Sequence, residues 1–430
     1  MSEPRRIIVA DDVTGASDAG LQFAKRGMRT NVWLDFEPNL GELDADVVVF
    51  DTDTRVATPQ RARHDMERLL GRIGPLTPSR IIKKMDSTLR GSLGPELRAL
   101  LDAMPGAIAI VCPAFPQQGR TCRDGTVFVH GTRVDQTDFA RDTLSPVRDA
   151  RIAAHVNAPS ALLTLAQLRA GTARANEEIE QARTHGTRIM IADAETDEDL
   201  RTLATLARMR DDLLWTASAG LLEFLADDMT DSERHRDGQR HTDGQCHPEL
   251  VEGCATIVPS ANGPVVFIIG SRSDMTQRQI TAFAAQPDHH TELISAIDLI
   301  ENTAVVTHKA AAAAGALHRG LDTLIAVDGE IDAGARRTSR RIRDTLVAMA
   351  DESVRSDSGT TVVLSGGDVA RAFCEHRGIR GLDLIAEVAP GIPISRALGA
   401  NLHLVTKAGG FGHANTYLDI AAALHAKVRT

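Results

Sequence analysis

The chain has 430 residues, a formal net charge of -10 at pH 7 and 43% hydrophobic residues, which favours two globular domains of ordinary composition. The acidic balance and the 3% aromatic content argue against nucleic acid as a partner, and no polybasic membrane patch is present. Five scattered cysteines predict reduced thiols and no structural zinc. No apolar run is long enough for a membrane span or a secretory leader, so we expect a cytoplasmic protein.

The first predicted strand ends at two adjacent carboxylates. Residues 6–10 form a short apolar run, Asp11 and Asp12 follow it, and a Thr-Gly turn leads into a helical pattern. Ligands of open α/β sheets bind outside the carboxyl ends of the strands, so both carboxylates are expected at the mouth of a crevice. This loop has two aspartates at positions where a nucleotide-binding loop has glycine. The expected ligands are therefore the hydroxyls of a polyol or a metal ion rather than a phosphate. Capping of the helix is the alternative role.

Two further strand ends carry polar clusters. Strands are predicted at residues 46–50 and 80–84, and the ends of parallel strands meet at one edge of a sheet. Arg55 follows the first of these strands and can hold a carboxylate through a bidentate fork, although a surface ion pair is an equal alternative. The cluster after the second strand has donors and acceptors for a carboxylate and several hydroxyls. The candidate residues at these two ends are Arg55, Lys84, Asp86, Ser87 and Arg90.

The chain then continues as strands and helices until its composition changes abruptly. Residues 160–183 have the Ala- and Leu-rich spacing of a helix. From 231 to 259 the sequence is polar and without periodicity, which predicts a flexible linker. The histidines of this segment lack a regular scaffold for a metal ion. We therefore expect one domain at 1–230 and a second at 260–430.

Three junctions between a strand and a glycine- or serine-rich turn characterise the second half. Backbone N–H groups at such turns, and at the helix starts that follow, are suited to a phosphate. This pattern favours a nucleotide-phosphate pocket over simple turn glycines. No junction matches the P-loop or the dinucleotide-binding fingerprint, so neither a P-loop enzyme nor a Rossmann dehydrogenase is indicated. The candidate residues are Ser271, Arg272, Gly366, Gly367, Asp368, Lys407, Gly409 and Gly410.

Taken together, these motifs resemble the four-carbon acid sugar kinase family, bacterial enzymes that phosphorylate tetronates and 3-oxo-tetronates with ATP. The departures are mild. The family more often has Phe or Leu where Val13 stands and more often has Glu where Asp368 stands, and the polar linker is longer than expected. The matching segments are collinear and comprise residues 10–15, 53–55, 84–91, 113–116, 119–120, 218–221, 270–272, 365–368, 390–391 and 407–412.

The resemblance implies an α/β fold of two domains, each with a mostly parallel sheet flanked by helices, and an active site in the cleft between them. The first domain would bind the acid sugar and the second would bind ATP. ATP and Mg²⁺ are the implied cofactors, with Asp368 reaching the metal and Lys407 countering phosphate charge. The residues expected to contact ATP are Ser271, Arg272, Gly366, Gly367, Gly409 and Gly410.

Phosphoryl transfer needs positioning and charge neutralisation, so the acid-sugar domain must hold the acceptor hydroxyl in line with the triphosphate. Asp12 is the expected base near the terminal hydroxyl, and Asp11 is the alternative. Arg55, Lys84 and Arg90 are expected to receive the substrate carboxylate, whereas Asp11, Asp86 and Ser87 are expected to bind its hydroxyls.

The segment 16–22 resembles the threonate and erythronate 4-kinases more than the 3-oxo-tetronate kinases. We therefore expect phosphorylation of the 4-hydroxyl of D-threonate or D-erythronate, with 3-oxo-tetronate kinase activity as the alternative. An Asp-dependent phosphatase and a non-catalytic sugar-acid sensor are the alternatives from other classes. The oligomeric state is open, and a homo-oligomer is one possibility.

Overall fold

The computed structural model describes residues 4–38, 40–142, 144–227, 258–261, 263–328, 336–354 and 361–426. The predicted linker at 231–259 lies outside these residues except for its last two positions. The fold is α/β, as predicted, and the chain divides into two compact units. The first unit comprises Met1–Asp11, Gln22–Thr30 and Asp35–Ala255, and the second comprises Asp12–Leu21, Asn31–Leu34 and Thr256–Thr430.

The division passes through the first elements of the chain. Strand β1 (Arg6–Ala10) belongs to the first unit, whereas most of helix α1 (Val13–Ala24) and of strand β2 (Thr30–Trp33) is grouped with the second. Strand β1 is rich in Ile and Val and almost entirely buried, which is typical of a parallel strand covered on both faces. The peptide bond between Asp11 and Asp12 therefore joins residues of different units.

The described part of the first unit contains a parallel sheet of seven strands and a separate antiparallel sheet of three. Besides β1, the strands are β3 (Val47–Asp51), β4 (Ile81–Lys84), β5 (Ile108–Cys112), β6 (Arg120–Arg123), β7 (Thr126–Val129), β8 (Thr132–Arg133), β9 (Ala161–Leu163), β10 (Ile189–Ala192) and β11 (Leu213–Ala217). The order across the large sheet is β3, β1, β4, β11, β5, β10, β9. Strands β6, β7 and β8 form the small sheet. The carboxyl ends of β1, β3 and β4 are therefore neighbours.

The helices of the first unit correct one expectation. Residues 160–183 do not form a single helix: the edge strand β9 comes first, and two helices follow it. The first of these begins at a capping box of Thr164 and Gln167, and Gly171, with a φ of 106°, separates the two. The helices are α2 (Pro59–Ile73), α3 (Leu93–Ala103), α4 (Ile152–Val156), α5 (Leu165–Arg169), α6 (Thr172–Thr184), α7 (Asp197–Met209) and α8 (219–227).

The sheet of the second unit is mostly parallel. Its strands, besides residues of β2, are β12 (Val266–Ile269), β13 (His289–Ser295), β14 (Asp322–Asp328), β15 (Thr361–Ser365), β16 (Gly381–Ala389), β17 (Ile392–Ala397) and β18 (His403–Lys407). Strands β13, β14, β12, β15 and β18 are parallel neighbours in that order. Strands β17 and β16 continue the sheet in antiparallel pairing, and Asn31–Trp33 pairs with β16.

An aromatic cluster lies in the core of the second unit. The ring centroid of Phe267 lies 4.9 Å from that of Phe283 and 5.7 Å from that of Tyr417, and all three side chains are fully buried. These residues pack the central strand β12 against two helices. The helices are α9 (Asp274–Ala284), α10 (Ala296–Glu301), α11 (Thr303–His318), α12 (Arg336–Ser353), α13 (Gly367–His376) and α14 (Thr416–His425).

Candidate functional site

The carboxylate that follows β1 is held by a guanidinium fork in the first unit. Arg55 Nη2 donates to Asp11 Oδ1 at 2.7 Å, and Arg55 Nε donates to Asp11 Oδ2 at 3.1 Å. The Asp11 carbonyl also accepts from the backbone N–H groups of Thr54 and Arg55, each at 3.0 Å. Burial opposes ionisation, but the charges of Arg55 and Lys83 outweigh it and lower the pKa of Asp11. The exposed fraction is 4% for the Asp11 side chain and 13% for that of Arg55, so this ion pair does not lie on the open surface.

A second fork lies beside the first. Arg90 Nε donates to Asp86 Oδ2 and Arg90 Nη2 donates to Asp86 Oδ1, both at 3.0 Å. The two forks are linked, because Arg55 Nη2 lies 3.7 Å from Asp86 Oδ1. Burial again opposes ionisation, but Arg90 and Arg55 together hold the pKa of Asp86 well below its usual range. Both carboxylates are therefore ionised acceptors at neutral pH.

The loop after β4 is shaped around these pairs. Gly91 has a φ of 99°, and a Cβ atom there would lie 2.5 Å from Asp11 Oδ2, so only glycine fits. Arg90 Nη1 donates to Asp142 Oδ2 at 3.4 Å, and the guanidinium stacks on the ring of Phe139 at 5.3 Å. Phe139 and Asp142, which the sequence analysis does not single out as functional, thus help to hold Arg90.

Sequence reasoning also missed a buried ion pair next to Asp11. Lys83 Nζ lies 3.0 Å from Glu96 Oε2, and the exposed fractions of the two side chains are 1% and 2%. Thr54 donates its hydroxyl to Glu96 Oε1. Burial and the charge of Asp11 raise the pKa of Glu96, although Lys83 opposes them. A signal was available in the sequence, since Lys83 is a charged residue that directly follows Ile81 and Ile82 in the predicted strand.

Lys84 and Ser87 are buried near the end of β4. Lys84 Nζ donates to the carbonyl of Met85 at 3.0 Å, and Lys84 is 4% exposed. Ser87 is 9% exposed. Neighbouring strand residues point to opposite faces of a sheet, so Lys84 lies on the face opposite Lys83.

Asp12 caps helix α1 in the second unit. Its Oδ1 accepts from the backbone N–H of Gly15 at 2.8 Å, and its Oδ2 accepts from the hydroxyl of Thr14 at 2.8 Å. The same Oδ2 lies 2.5 Å from the position that a Cβ on Gly367 would take. Gly367 is the first residue of α13, so the carboxylate lies against the start of that helix. Asp12 therefore caps helix α1, and its carboxylate also lies beside a turn that is predicted to bind the nucleotide.

The structure brings the three turns of the second unit together. Gly366, with a φ of 108°, donates its N–H to the carbonyl of Lys407 at 2.9 Å. A Cβ on Gly366 would lie 3.4 Å from the backbone nitrogen of Ser271. A Cβ on Gly409 would lie 2.0 Å from Ser271 Oγ. The turns after β12, β15 and β18 thus meet at Ser271, and their glycines allow the close approach.

The turn after β18 is fixed by side-chain donors. The carbonyl of Gly409 accepts from Ser273 Oγ at 3.2 Å, from Thr276 Oγ1 at 2.9 Å and from Lys407 Nζ at 3.1 Å. Lys407 Nζ also donates to the carbonyl of Ala408 at 3.0 Å and lies 5.3 Å from the ring of Tyr417. Lys407 is 0% exposed, and burial lowers its pKa to about 7.

The other predicted nucleotide residues lie on the same turns. Arg272, Asp368 and Gly410 are half-buried, and Asp368 is in the first turn of α13. Among the residues that the structure describes, no three His, Cys, Asp or Glu side chains group as metal ligands. Mg²⁺ in kinases usually takes one or two carboxylates together with substrate phosphates, and the single carboxylate of Asp368, at a turn predicted to bind phosphate, fits that donor set.

Comparison with known protein families gives a description to each half of the chain. Residues 6–225 match the sugar-binding N-terminal domain, and residues 266–417 match the nucleotide-binding C-terminal domain. The buried acid and guanidinium pairs fall in the first match, and the glycine turns fall in the second. The fold and site therefore define a protein that joins a sugar-binding domain to a nucleotide-binding domain.

Curated relatives match over nearly the whole chain. A D-threonate kinase of Cupriavidus necator is 32% identical over 419 residues, covering 94% of each chain. A D-erythronate kinase of Heliobacterium modesticaldum is 28% identical, covering 95% of this chain and 94% of its own. A 3-oxo-tetronate kinase of Pseudomonas fluorescens is 27% identical, covering 96% of both. This chain belongs to the four-carbon acid sugar kinase family and is a phosphotransferase, as predicted.

Solved structures support the fold. A crystal structure from Salmonella typhimurium matches with a TM-score of 0.73 and 22% identity, covering 96% of this chain and 98% of its own. One from Haemophilus influenzae matches with a TM-score of 0.66 and 21% identity, covering 97% and 100%. None of the helices in the described ranges combines the length and hydropathy needed to span a bilayer.

Proposed function

We propose that this chain transfers the γ-phosphoryl group of ATP to the 4-hydroxyl of D-threonate or D-erythronate. The observation that carries the proposal is the pair of linked guanidinium–carboxylate forks at the strand ends of the sugar-binding unit. A small acid with several hydroxyls needs both cationic donors and ionised acceptors, and this cluster supplies both. The names of the relatives at 32% and 28% identity support the same substrates.

Each group of the cluster has a proposed role. The cations receive the substrate carboxylate, while the ionised carboxylates accept hydrogen bonds from substrate hydroxyls. The lowered pKa values of Asp11 and Asp86 keep these two groups in the acceptor form at neutral pH. We assign the carboxylate to Arg55, Lys84 and Arg90, and the hydroxyls to Asp11, Asp86 and Ser87.

Asp12 is the proposed base. The fork from Arg55 engages both oxygens of Asp11 and lowers its pKa, so Asp11 is a weak proton acceptor. Asp12 accepts from an amide and a hydroxyl, and its Oδ2 lies against the start of α13. A base at that helix start would lie where a transferred phosphoryl group is held.

The glycine turns of the second unit are the proposed triphosphate site. Backbone N–H groups of the turns and of the first turn of α13 would donate to the phosphate oxygens. Mg²⁺, when bound with ATP, neutralises phosphate charge, and Asp368 would hold it. The proposed ATP contacts are Ser271, Arg272, Gly366, Gly367, Gly409 and Gly410.

The test is ADP production by the purified chain with ATP and Mg²⁺ against D- and L-threonate, D- and L-erythronate and their 3-oxo forms. Turnover with D-threonate or D-erythronate is the expected result. Preference for a 3-oxo acid would instead support the second candidate, which a 3-oxo-tetronate kinase at 29% identity favours. Absence of turnover with every acid would contradict the proposal.

Two controls address the remaining alternatives. A phosphatase would release phosphate from a phosphorylated tetronate without nucleotide, and a sensor would bind the acid without consuming ATP. Family membership argues against both. A cytoplasmic location and a homo-oligomeric state remain predictions, which fractionation and light scattering would test.

A further inference from the structure

Two successive backbone carbonyls in the turn after β18, those of Ala408 and Gly409, are fixed by hydrogen bonds. Lys407 Nζ and the backbone N–H of Phe411 both donate to the carbonyl of Ala408, at 3.0 Å and 3.1 Å. Three side-chain donors converge on the carbonyl of Gly409, at distances of 2.9–3.2 Å. Among the described residues, Lys407 is the one that donates to both carbonyls.

Fixed carbonyls orient the amides that follow them. A trans peptide group is planar, and its C=O and N–H point in opposite directions. The described residues contain no cis peptide bond. The N–H groups of Gly409 and Gly410 therefore point away from Lys407, Ser273 and Thr276. Within the described ranges, neither N–H donates to a backbone carbonyl.

Two successive amides that point the same way form a concave anion site. Both glycines are half-buried, and a Cβ on Gly409 would collide with Ser271 Oγ, so the turn also joins the other two turns at Ser271. The ammonium of Lys407 is fully buried and is engaged by two carbonyls and the face of Tyr417. The ammonium therefore donates its hydrogen bonds to backbone carbonyls.

We propose that Lys407 is a positioning residue, which aligns the N–H groups of Gly409 and Gly410 for a nucleotide phosphate and does not itself contact that phosphate. The inference rests on the proposed function, because it takes the second unit to bind ATP. It replaces the simpler expectation that Lys407 neutralises phosphate charge directly. Thr276 shares the positioning role, since it donates to the same carbonyl from α9.

The test compares Lys407→Met and Thr276→Val with wild type in the full chain. Calorimetric titration with ADP gives the affinity, and steady-state assays give KM for ATP and KM for the acid separately. Lys407→Met is expected to weaken ADP binding more than tenfold and to leave KM for the acid within twofold. Thr276→Val is expected to weaken ADP binding several-fold, although the ammonium remains in place. A purely structural role would change both KM values together.

Lys309→Met is the matched control. Lys309 pairs with Glu292 at 3.0 Å on α11, and β13, which carries Glu292, is separated from β18 by three strands. We expect unchanged ADP binding. Normal ADP binding by Lys407→Met would overturn the proposal, and so would a loss confined to Lys407→Met, because direct phosphate contact predicts that result. A wild-type chain that binds no nucleotide would overturn the proposed function as well, so the two failures are distinguishable.

Discussion

The carboxylate of Asp12 occupies the space that a side chain at Gly367 would need. Asp12 Oδ2 lies 2.5 Å, and Asp12 Cγ 3.3 Å, from the position of a Cβ atom built on Gly367. Hydrogen bonds from Gly15 and Thr14 hold the carboxylate in place, so it has little freedom to move aside. The absence of a side chain at position 367 is therefore a condition for the observed position of the proposed base.

Replacement of this glycine should impair turnover more than folding. We expect Gly367→Ala to lower kcat by roughly tenfold or more, because the methyl group displaces Asp12 from its position. The measurement is steady-state kinetics with ATP and the preferred acid. Gly315→Ala is the control: Gly315 lies within α11, its Cβ would meet an atom no closer than 3.6 Å, and activity should be unchanged. Equal kcat values for the two variants would argue against a role for the contact.

The two adjacent aspartates should fail in different ways. Asp12→Asn keeps an oxygen that can accept from Gly15, so α1 should still form, but kcat should fall by about 10²–10⁴-fold. Asp11→Asn removes the charge that pairs with Arg55 and should mainly raise KM for the acid. Separate measurement of kcat and KM distinguishes the two. If Asp11→Asn abolishes turnover while Asp12→Asn retains it, Asp11 is the base.

The buried pair of Lys83 and Glu96 should show strong coupling. Either Lys83→Met or Glu96→Met leaves an unpaired buried charge, which typically lowers the free energy of unfolding by about 3–5 kcal/mol. The free energy of unfolding of the double variant should be closer to that of wild type than the value of either single variant is. Denaturant unfolding gives this free energy for wild type, the two single variants and the double variant. The exposed pair of Arg63 and Asp102 provides a control cycle with little coupling, and simply additive losses at Lys83 and Glu96 would contradict the expectation.

Lys407 should make stability depend on pH. Its folded-state pKa is about 7, below the unfolded value of 10.5, so the unfolded chain binds the proton more tightly between these values. Stability contributed by this group therefore rises as pH increases from about 7 towards 10.5 and is lowest below 7. Lys407→Met should lose this pH dependence, so the free energy of unfolding of wild type should rise relative to that of the variant as the pH increases from about 7 towards 10.5. Unfolding at several pH values checks this, and a difference that stays constant with pH would refute it.

The sequence predicted the strand ends of the first unit well. Each of β1, β3 and β4 is an apolar run followed by polar residues, and parallel pairing alone brings those ends together. Asp11, Arg55, Asp86 and Arg90 are linked in the structure because of that topology. Their pairing into two forks depends on loop conformation, including the φ of 99° at Gly91, which a residue pattern does not specify.

Contacts between distant segments were beyond the sequence. Lys83 of β4 pairs with Glu96 of α3, and nothing in the local sequence around either residue indicates its partner. The grouping of residues 12–21 and 31–34 with the second unit depends on pairing across about 350 positions, such as Asn31 with Asp383. Local periodicity carries no information on such pairings.

That pairing has a practical consequence for dissecting the protein. Asn31–Trp33 pairs with β16 on the edge opposite β17, and Leu34 donates its N–H to the carbonyl of Arg380 at 2.9 Å. A fragment that starts after the polar segment would lack this strand, and the ladder of β16 would be open to edge-to-edge aggregation. A soluble nucleotide-binding fragment should therefore also include residues 12–34. This helix and strand would be fused to the fragment through a short linker.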